Sequence, residues 1–219
     1  MKKIFFVIFF YFVFLGCGDG GDDCCIFPPE NTPETQVKDW DPRSDVEIEG
    51  SIFTVSYNEI LQQPNWIRYD VRSIDKRYDR DGMRFYEVDS IITSDDNDYY
   101  DNEWDRGHLA PAAAFTDTYD NLYATFSFLN CTLQKDQLNR GEWAELETKI
   151  RGWANVNGTI AVEILLHFQE GHIVLPTGAH VPSGYTKSLT FPDGSQRCFY
   201  FPNTETTTSW ESYEIDCSS

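Results

Sequence analysis

Short apolar stretches alternate with polar positions along most of the chain, and they predict a domain built mainly of β-strands. Their β-branched and aromatic content, and the Gly, Pro and Asn turns between them, favour strands over helices. The predicted strands cover residues 51–57, 66–71, 88–93, 125–131, 160–168, 172–175, 185–191 and 197–201. Asn139 to Ala154 lacks Pro and is rich in Glu, Leu, Ala and Lys, which predicts a helix. Together these elements predict an α+β domain around a mostly antiparallel sheet with packed helices.

The amino-terminal residues follow a different pattern. Lys2 and Lys3 precede an unbroken apolar run, Ile4 to Leu15. The run is too short to span a bilayer as a helix, which needs about 20 residues, but it has the length of a signal-peptide core. Its ending, Phe14-Leu15-Gly16-Cys17, resembles a bacterial lipoprotein cleavage box. We therefore expect residues 1–17 to be a signal peptide of lipoprotein type, with an ordinary secretory signal as the alternative.

Either signal predicts an exported protein. A lipid on Cys17 would anchor it to a membrane of the cell envelope, facing the periplasm or the outer surface. With an ordinary signal it would be secreted. The sequence indicates no protein partner.

The distribution of charge predicts an acidic tether and limits the kinds of partner that the protein can bind. The 219-residue chain has a formal net charge of −19, and residues 18–60 contain eleven acidic and two basic residues, a balance of −9. Such a composition cannot fold alone, so we predict an acidic tether at 18–50 and the folded domain at 51–219. The acidity argues against a broad basic surface for nucleic acid, but it leaves room for a small phosphate site.

Six cysteines leave the disulfide pairing open, and Cys198 with Cys217 is the preferred pair. An exported protein can keep disulfides, and Cys198 with Cys217 would tie the carboxyl terminus to a late strand. If Cys17 is lipidated, five cysteines remain, and one stays unpaired or bridges to another chain.

The candidate chemistry begins at Asp105-Arg106-Gly107-His108. Hydrolysis of a phosphodiester needs a base to deprotonate water, and a neutral imidazole titrates in the useful range. It also needs positive charge at the phosphoryl oxygens, which a guanidinium supplies as a bidentate fork. We expect Gly107 to allow a sharp backbone turn and Asp105 to hold the loop through hydrogen bonds.

The protein ligands of a divalent metal would come from the helix that follows. Residues 139, 143, 147 and 151 are four apart and form one stripe on a continuous helix. On such a helix Asn139 and Glu147 are about 12 Å apart along the axis, too far for both to bind one ion. One neutral oxygen ligand, with a carboxylate acting through water, suits Mg²⁺. Glu147 could also form an i,i+4 ion pair with Arg151.

These motifs resemble the DNA/RNA non-specific endonucleases of the ββα-metal class. The family pattern is a D-R-G-H box, then S-N or L-N with a nearby Gln, then N-x-G-x-W-x-x-L-E. The matching residues are Asp105 to His108, Leu129-Asn130 with Gln134, and Asn139 to Glu147. Weaker likeness extends over residues 60–217, starting with Asn65-Trp66-Ile67.

The resemblance implies a role for each matching residue. His108 would be the general base, Asn139 the direct ligand of Mg²⁺ (or of Mn²⁺ or another divalent cation), and Glu147 the holder of metal-bound water. Arg106 would contact the phosphate and take part in catalysis. Asn130 would shape the substrate site from the preceding strand. Arg151 would be a further helix arginine, either near the substrate site or structural. The implied activity is hydrolysis of DNA and RNA with little sequence specificity, leaving 5′-phosphate products.

Two departures keep a second hypothesis open. The family often has a basic residue after the aromatic of the Asn65 strand, but here Tyr69 is followed by Asp70. The missing charge could come from one of four arginines, Arg68, Arg72, Arg77 or Arg84. The strand ending near His172 also lacks the family's Thr-Gly-Pro stretch. The alternative is therefore a catalytically weakened nuclease-fold lipoprotein with a binding or structural role.

Overall fold

The computed structural model describes residues 41–218. The predicted signal peptide, the lipidation of Cys17 and most of the acidic tether lie outside these residues. In the described part of the chain, no helix is long and apolar enough to cross a membrane.

The main framework is a seven-stranded antiparallel sheet, in the order β1-β2-β3-β6-β7-β8-β9. Its strands are β1 (Val46–Glu49), β2 (Phe53–Asn58), β3 (Gln63–Val71), β6 (Ile160–His167), β7 (Gly184–Thr190), β8 (Gln196–Pro202) and β9 (Glu214–Ile215). A separate pair consists of β4 (Trp104–His108) and β5 (Cys131–Lys135). The helices are α1 (Tyr119–Ala124), α2 (Asp136–Arg140) and α3 (Glu142–Asn157), with 3-10 turns at Asp96–Tyr99, Ala112–Ala114, Phe128–Asn130 and Trp210–Tyr213.

Helix α3 packs on the sheet through one apolar stripe. The buried positions of α3 are Trp143, Leu146, Ile150 and Ala154, spaced by three or four residues as a helix requires. The Trp143 ring lies 5.3 Å from the Tyr185 ring and 5.6 Å from the Phe201 ring, so it joins α3 to β7 and β8. Truncating a buried Trp typically costs about 3–5 kcal/mol, so this contact holds the helix firmly against the sheet.

The predicted α+β class is confirmed, and most predicted strands are present with shifted ends. Strand β6 illustrates the pattern that predicts these strands. Its residues alternate between buried and less buried positions along its length, which is the period of a strand with one face on the core. Composition placed residues 46–49 in the tether, but they form the edge strand β1 and pair with β2.

Three predicted strands are wrong because local turns use their backbone groups. In 88–93, the Ile91 N–H donates to the Val88 carbonyl within a turn. In 125–131, the Asn130 N–H donates to the Ser127 carbonyl, and only Cys131 belongs to a strand, β5. In 172–175, Val174 makes a single bridge to His180. Short apolar runs fit buried turns as well as strands.

The predicted single helix from Asn139 to Ala154 is also wrong. Gly141, at φ −103° and ψ −113°, separates α2 from α3. A Cβ at this position would lie 2.8 Å from the Gln137 carbonyl oxygen, so the close turn excludes a side chain. Asn139 and Glu147 therefore lie on different helices, and the 12 Å spacing expected from one axis does not apply.

The predicted disulfide is confirmed. Cys198 and Cys217 are bonded, with Cα atoms 5.2 Å apart. This bond ties the carboxyl-terminal residues to strand β8. Among residues 41–218, Cys131 is a free cysteine and is buried.

Candidate active site

The predicted site residues other than Asn130 meet at a cleft beside the β4–β5 pair. Strands β4 and β5 are antiparallel, with His108 opposite Cys131 and Asp105 opposite Gln134, and α2 and α3 follow directly after β5. The cleft has a volume of about 840 Å³. Its polar and charged lining consists of Arg80, Asp81, Asp105, Arg106, His108, Asn139, Arg140, Glu147, Thr148 and Arg151.

His108 ends β4 and is half-buried between two aromatic rings. Its imidazole lies 4.8 Å from the Phe85 ring and 5.0 Å from the Phe126 ring. Burial, with a smaller contribution from the positive charge of Arg80, lowers the pKa of His108 from 6.5 to about 4. Nε2 is buried and has no hydrogen-bond partner in the described chain. At neutral pH the imidazole is therefore uncharged and able to accept a proton.

Asp105 fixes the position of Asn139. The sequence predicts that Asp105 holds its own loop, but it lies in β4 and bonds to residues of α2. The Asn139 side-chain nitrogen donates to Asp105 Oδ2 at 2.9 Å, and Arg140 donates to both carboxylate oxygens at 2.8 and 2.6 Å. Burial acts to raise the pKa of Asp105, but the hydrogen bonds from Arg140 and Asn139 outweigh it and lower that pKa. Because the amide nitrogen is engaged, Oδ1 is the Asn139 atom left to bind a cation.

Glu147 lies above a fully buried lysine of the sheet. Lys187 of β7 has no exposed surface, and its Nζ lies 4.0 Å from Glu147 Oε1 and 3.4 Å from the centre of the Trp143 ring. Burial raises the pKa of Glu147, against the opposing charges of Lys187 and Arg151. Burial likewise lowers the pKa of Lys187 to about 8. Both pKa shifts favour the neutral form of the side chain, because the loss of hydration outweighs the attraction between the two charges.

The cleft arginines differ in how far they are already engaged. Arg106 pairs with Asp96 at 2.8 Å and stacks on the Tyr99 ring. Arg151 donates to Thr148 Oγ1 at 2.9 Å, and its predicted ion pair with Glu147 is absent among the described residues. Arg80 likewise has no carboxylate within ion-pair distance in residues 41–218. Arg80 and Arg151 are thus the guanidinium groups most available to a phosphate.

Asn130, which the resemblance implies as a residue that shapes the substrate site, does not itself line the cleft. It is fully buried, and its side chain accepts from the Ala110 N–H at 2.7 Å. It also donates to the carbonyls of Ala110 and Thr125 at 2.9 and 2.8 Å. The two bonds to Ala110 hold the backbone that follows His108, and the third ties it to Thr125 at the end of α1. Asn130 therefore supports the backbone of the site, and its side chain does not face the cleft.

Gly107 is needed for space and not for a turn. It lies within β4 opposite Thr132, and a Cβ there would come within 2.7 Å of Gln134 Cβ. Gln134 is itself fully buried. The small residue lets β4 and β5 approach closely at this point.

The sequence prediction does not include two residues that belong to the site: Arg80, which lines the cleft, and Lys187, which contacts Glu147 from the sheet. Arg80 lies in an irregular segment, in a turn where the Met83 N–H donates to the Arg80 carbonyl, and no sequence signal separates it from its charged neighbours. Lys187 did carry a signal. It lies at an inward position of β7, between buried Tyr185 and Leu189, where alternation predicts an apolar side chain.

Arg68 and Arg72 were considered as substitutes for the family's basic residue. Arg68 pairs with Glu163 and stacks on Trp66, and neither Arg68 nor Arg72 lines the cleft. Arg77 and Arg84 do not line it either, so Arg80 is the arginine of this region that reaches the cleft.

The donors of the cleft suit a cation with few protein ligands. Within residues 41–218 there is no group of three or more His, Cys, Asp or Glu side chains that could hold a metal. The oriented Asn139 oxygen and Glu147 Oε1, a buried oxygen without a hydrogen-bond partner in the described chain, line the same cleft. Such oxygen donors fit a hard divalent ion that keeps most of its water, and Mg²⁺ is the typical case.

The fold and cleft define a class: an α+β protein with a β-β-α site that presents a histidine, an asparagine and a carboxylate. A family model for DNA/RNA non-specific endonucleases matches residues 39–219, and the chain belongs to that family of phosphodiester-hydrolysing enzymes. The family typically depends on a divalent metal.

A solved structure shares the fold. A chain in the crystal structure of the EndoG/EndoGI complex, a study of the mechanism of EndoG inhibition, matches with a TM-score of 0.70 and 21% identity. The match covers 80% of this chain and 81% of that chain. No curated protein matches the chain.

Proposed function

We propose that this protein is a Mg²⁺-dependent endonuclease that hydrolyses DNA and RNA with little sequence preference. The observation that supports it most directly is the state of His108, a neutral imidazole whose buried Nε2 has no partner among the described residues. It shares one cleft with Asn139, Glu147 and two arginines that lack carboxylate partners. Mn²⁺ or another divalent cation could replace Mg²⁺ at such oxygen donors.

The proposed reaction divides the work among these residues. His108 takes a proton from water as the water oxygen bonds to phosphorus, and the bond from phosphorus to the 3′ oxygen breaks, so the products carry 5′-phosphates. Arg80, Arg106 and Arg151 hold the phosphoryl oxygens. Asn139 would bind the cation directly, and Glu147 would orient water beside it. The cation would act as a Lewis acid that stabilises the developing negative charge.

The test is cleavage of plasmid DNA and of RNA by the full chain in Mg²⁺. We expect cleavage that stops with a chelator and falls by at least about 100-fold in His108→Ala, because general-base catalysis contributes about that factor or more. His167→Ala is the matched control, since His167 lies on β6 away from the cleft and bonds to Thr186. An intact chain that binds nucleic acid without cutting it would favour the weakened-nuclease alternative.

We further propose that the enzyme is exported and held at the cell envelope by a lipid on Cys17, with residues 18–45 as an acidic spacer. The support is the sequence of the first seventeen residues and the charge of the segment after them. Fatty-acid labelling of the wild-type chain that persists in Cys17→Ser would refute the anchor.

A further inference from the structure

Three tyrosines form a stack of parallel rings beside the cleft. The rings of Tyr86 and Tyr123 are 4.7 Å apart at an angle of 8°, and those of Tyr123 and Tyr119 are 6.0 Å apart at 7°. We call Tyr86, Tyr123 and Tyr119 the tyrosine ladder. Its exposure increases outward: Tyr86 is half-buried, Tyr123 is 41% exposed and Tyr119 is 53% exposed. Tyr78, which is 42% exposed, meets Tyr119 edge to face, with ring centres 6.3 Å apart at an angle of 74°. The outer end of the ladder is thus flanked by a fourth ring and still exposes aromatic surface to solvent.

Local structure holds the ladder in place. Tyr119 and Tyr123 are four residues apart on α1, so their side chains lie on one face. Thr118 caps this helix by accepting from the Asn121 N–H at 3.1 Å. Tyr86 is fixed by backbone bonds on both sides, to the Phe126 carbonyl at 3.0 Å and from the Phe128 N–H at 2.9 Å. The rings are therefore ordered before any ligand arrives, which lowers the entropy cost of binding.

The ladder is continuous with the cleft. A groove of about 360 Å³ is lined by all three rings, and it shares Asp81, Gly82, Met83 and Phe85 with the cleft. Phe85, which packs on the His108 ring, is the residue next to Tyr86. A nucleic-acid strand with a phosphate at His108 can therefore continue along the shared wall to the ladder.

The charges that line this groove do not favour the binding of phosphates. Asp79 and Asp81 line it together with a single arginine, Arg84, so phosphates gain little attraction there. Aromatic faces, in contrast, attract nucleobases irrespective of their sequence. Bases inside a duplex are covered on both faces by their neighbours, so an exposed ring stacks fully only on an unpaired base.

On this geometry, and resting on the proposed nuclease function, we propose that the tyrosine ladder is a stacking subsite for unpaired bases of the DNA or RNA substrate. Tyr119, the outermost ring, makes the principal base contact. The enzyme then binds single-stranded substrates, or single-stranded regions near the scissile phosphate, more tightly than uninterrupted duplex.

The test compares Tyr119→Ala, Tyr119→Phe and the control Tyr100→Ala in the full chain. Tyr100 is 82% exposed and lines neither the cleft nor the groove. Two quantities are measured for single-stranded DNA, RNA and duplex DNA: the KM of cleavage in Mg²⁺, and the Kd of labelled oligonucleotides in EDTA by fluorescence anisotropy. Since Tyr119 is exposed at the start of α1, both Tyr119 variants should fold, and circular dichroism checks this.

We expect Tyr119→Ala to raise the KM and Kd for single strands by about fivefold or more, the loss typical of one base–aromatic stack. Tyr119→Phe keeps the ring, so its KM and Kd should stay within about twofold of wild type, and the same holds for Tyr100→Ala. For duplex DNA, the KM and Kd of every variant should stay within about twofold of wild type. Equal effects on single strands and duplex, or no effect of Tyr119→Ala, would overturn the subsite.

The two proposals fail in distinguishable ways. A wild-type chain that prefers single strands in EDTA but never cleaves them would refute the nuclease function and leave the subsite standing. A chain that cleaves but shows no single-strand preference in either measurement would refute the subsite alone.

Discussion

His108 shows how burial sets the chemistry of a single side chain. Its imidazole packs against Phe85 and Phe126, and burial lowers its pKa to about 4. A histidine in water is largely neutral only above pH 6.5 or so. The cleft extends the pH range over which the base is free by disfavouring the charged form.

We expect the His108 imidazole to titrate near pH 4 in NMR spectra of the metal-free chain, since burial and Arg80 oppose its protonation. Arg80→Ala should raise this pKa, whereas Arg84→Ala, outside the cleft, should not. The unfolded chain gains a proton on this residue as the pH falls below about 6.5, but the folded chain does not until about pH 4. The contribution of His108 to stability is thus complete above about pH 6.5 and falls as the pH drops toward 4. Urea unfolding at pH 7 and pH 5, with His108→Gln for comparison, measures it, and an NMR midpoint near 6.5 would contradict the prediction.

At the residue scale, the sequence predicted identities better than surroundings. The D-R-G-H box indicates His108 as a site candidate and Asp105 as a residue that holds its own loop, whereas Asp105 bonds to Asn139 of the following helix. It gave the wrong reason for Gly107, because the need for space arises from Gln134 on another strand. Neighbours that are distant in the sequence leave no local pattern.

Helix α3 and strand β7 contact each other through the charged pair Glu147 and Lys187. Glu147 and Trp143 project from α3, and Lys187 rises from the sheet beneath them. The lysine has no exposed surface, so its charge acts on Glu147 with little screening by water. We infer that Lys187 positions Glu147 and favours its charged form.

We expect Lys187→Met to move the acid limb of the kcat/KM profile to higher pH. Removing the cation leaves burial less opposed and raises the pKa of Glu147 further. An opposite charge at such range shifts a carboxyl pKa by about one unit or more, so activity on the acid limb should fall about tenfold and recover as the pH rises. Lys187→Arg should restore part of it, and Lys149→Met on the exposed face of α3 should not change the profile. A uniform loss at every pH would indicate a purely structural lysine.

At the element scale, periodicity predicted strands such as β6 and misjudged the helix. The N-x-G pattern was visible, but the helix was extended through Gly141, where close approach to the Gln137 carbonyl ends it. That break brings Asn139 toward Asp105 of β4. The role of Asn139 as a metal ligand stays a prediction, and the single-helix geometry first used to argue for it does not apply.

The whole molecule is acidic around a site that must accept a polyanion. The net charge is −19, and the arginines of the cleft are few and partly engaged with carboxylates. Binding therefore depends on local contacts and on the cation, not on a broad positive field.

We expect the affinity of the His108→Ala chain for single-stranded DNA in Mg²⁺ to depend only modestly on salt. Three phosphate contacts, from Arg80, Arg106 and Arg151, correspond to a slope of about −2 in a plot of log K against log salt, since each contributes about −0.7. Arg80→Ala should reduce the slope by about one contact, and Arg68→Ala, which is outside the cleft, should leave it unchanged. A slope of about −6 or steeper would reveal a basic surface that the described residues do not show.

The sequence by itself determined the α+β class and indicated Cys198 with Cys217 as the preferred disulfide pair. Its motifs singled out His108, Asn139 and Glu147 as site candidates, and the resemblance to the endonuclease family implies their roles. Local period, residue type and motif order are properties that a single chain displays directly. Only the tertiary structure brought Arg80 to the cleft, Lys187 to Glu147 and the tyrosine ladder to the neighbouring groove, and only it placed Asn130 outside the cleft lining. These positions follow from the path of the chain and from close packing between distant segments. The local pattern marks Lys187 as unusual but specifies none of these contacts.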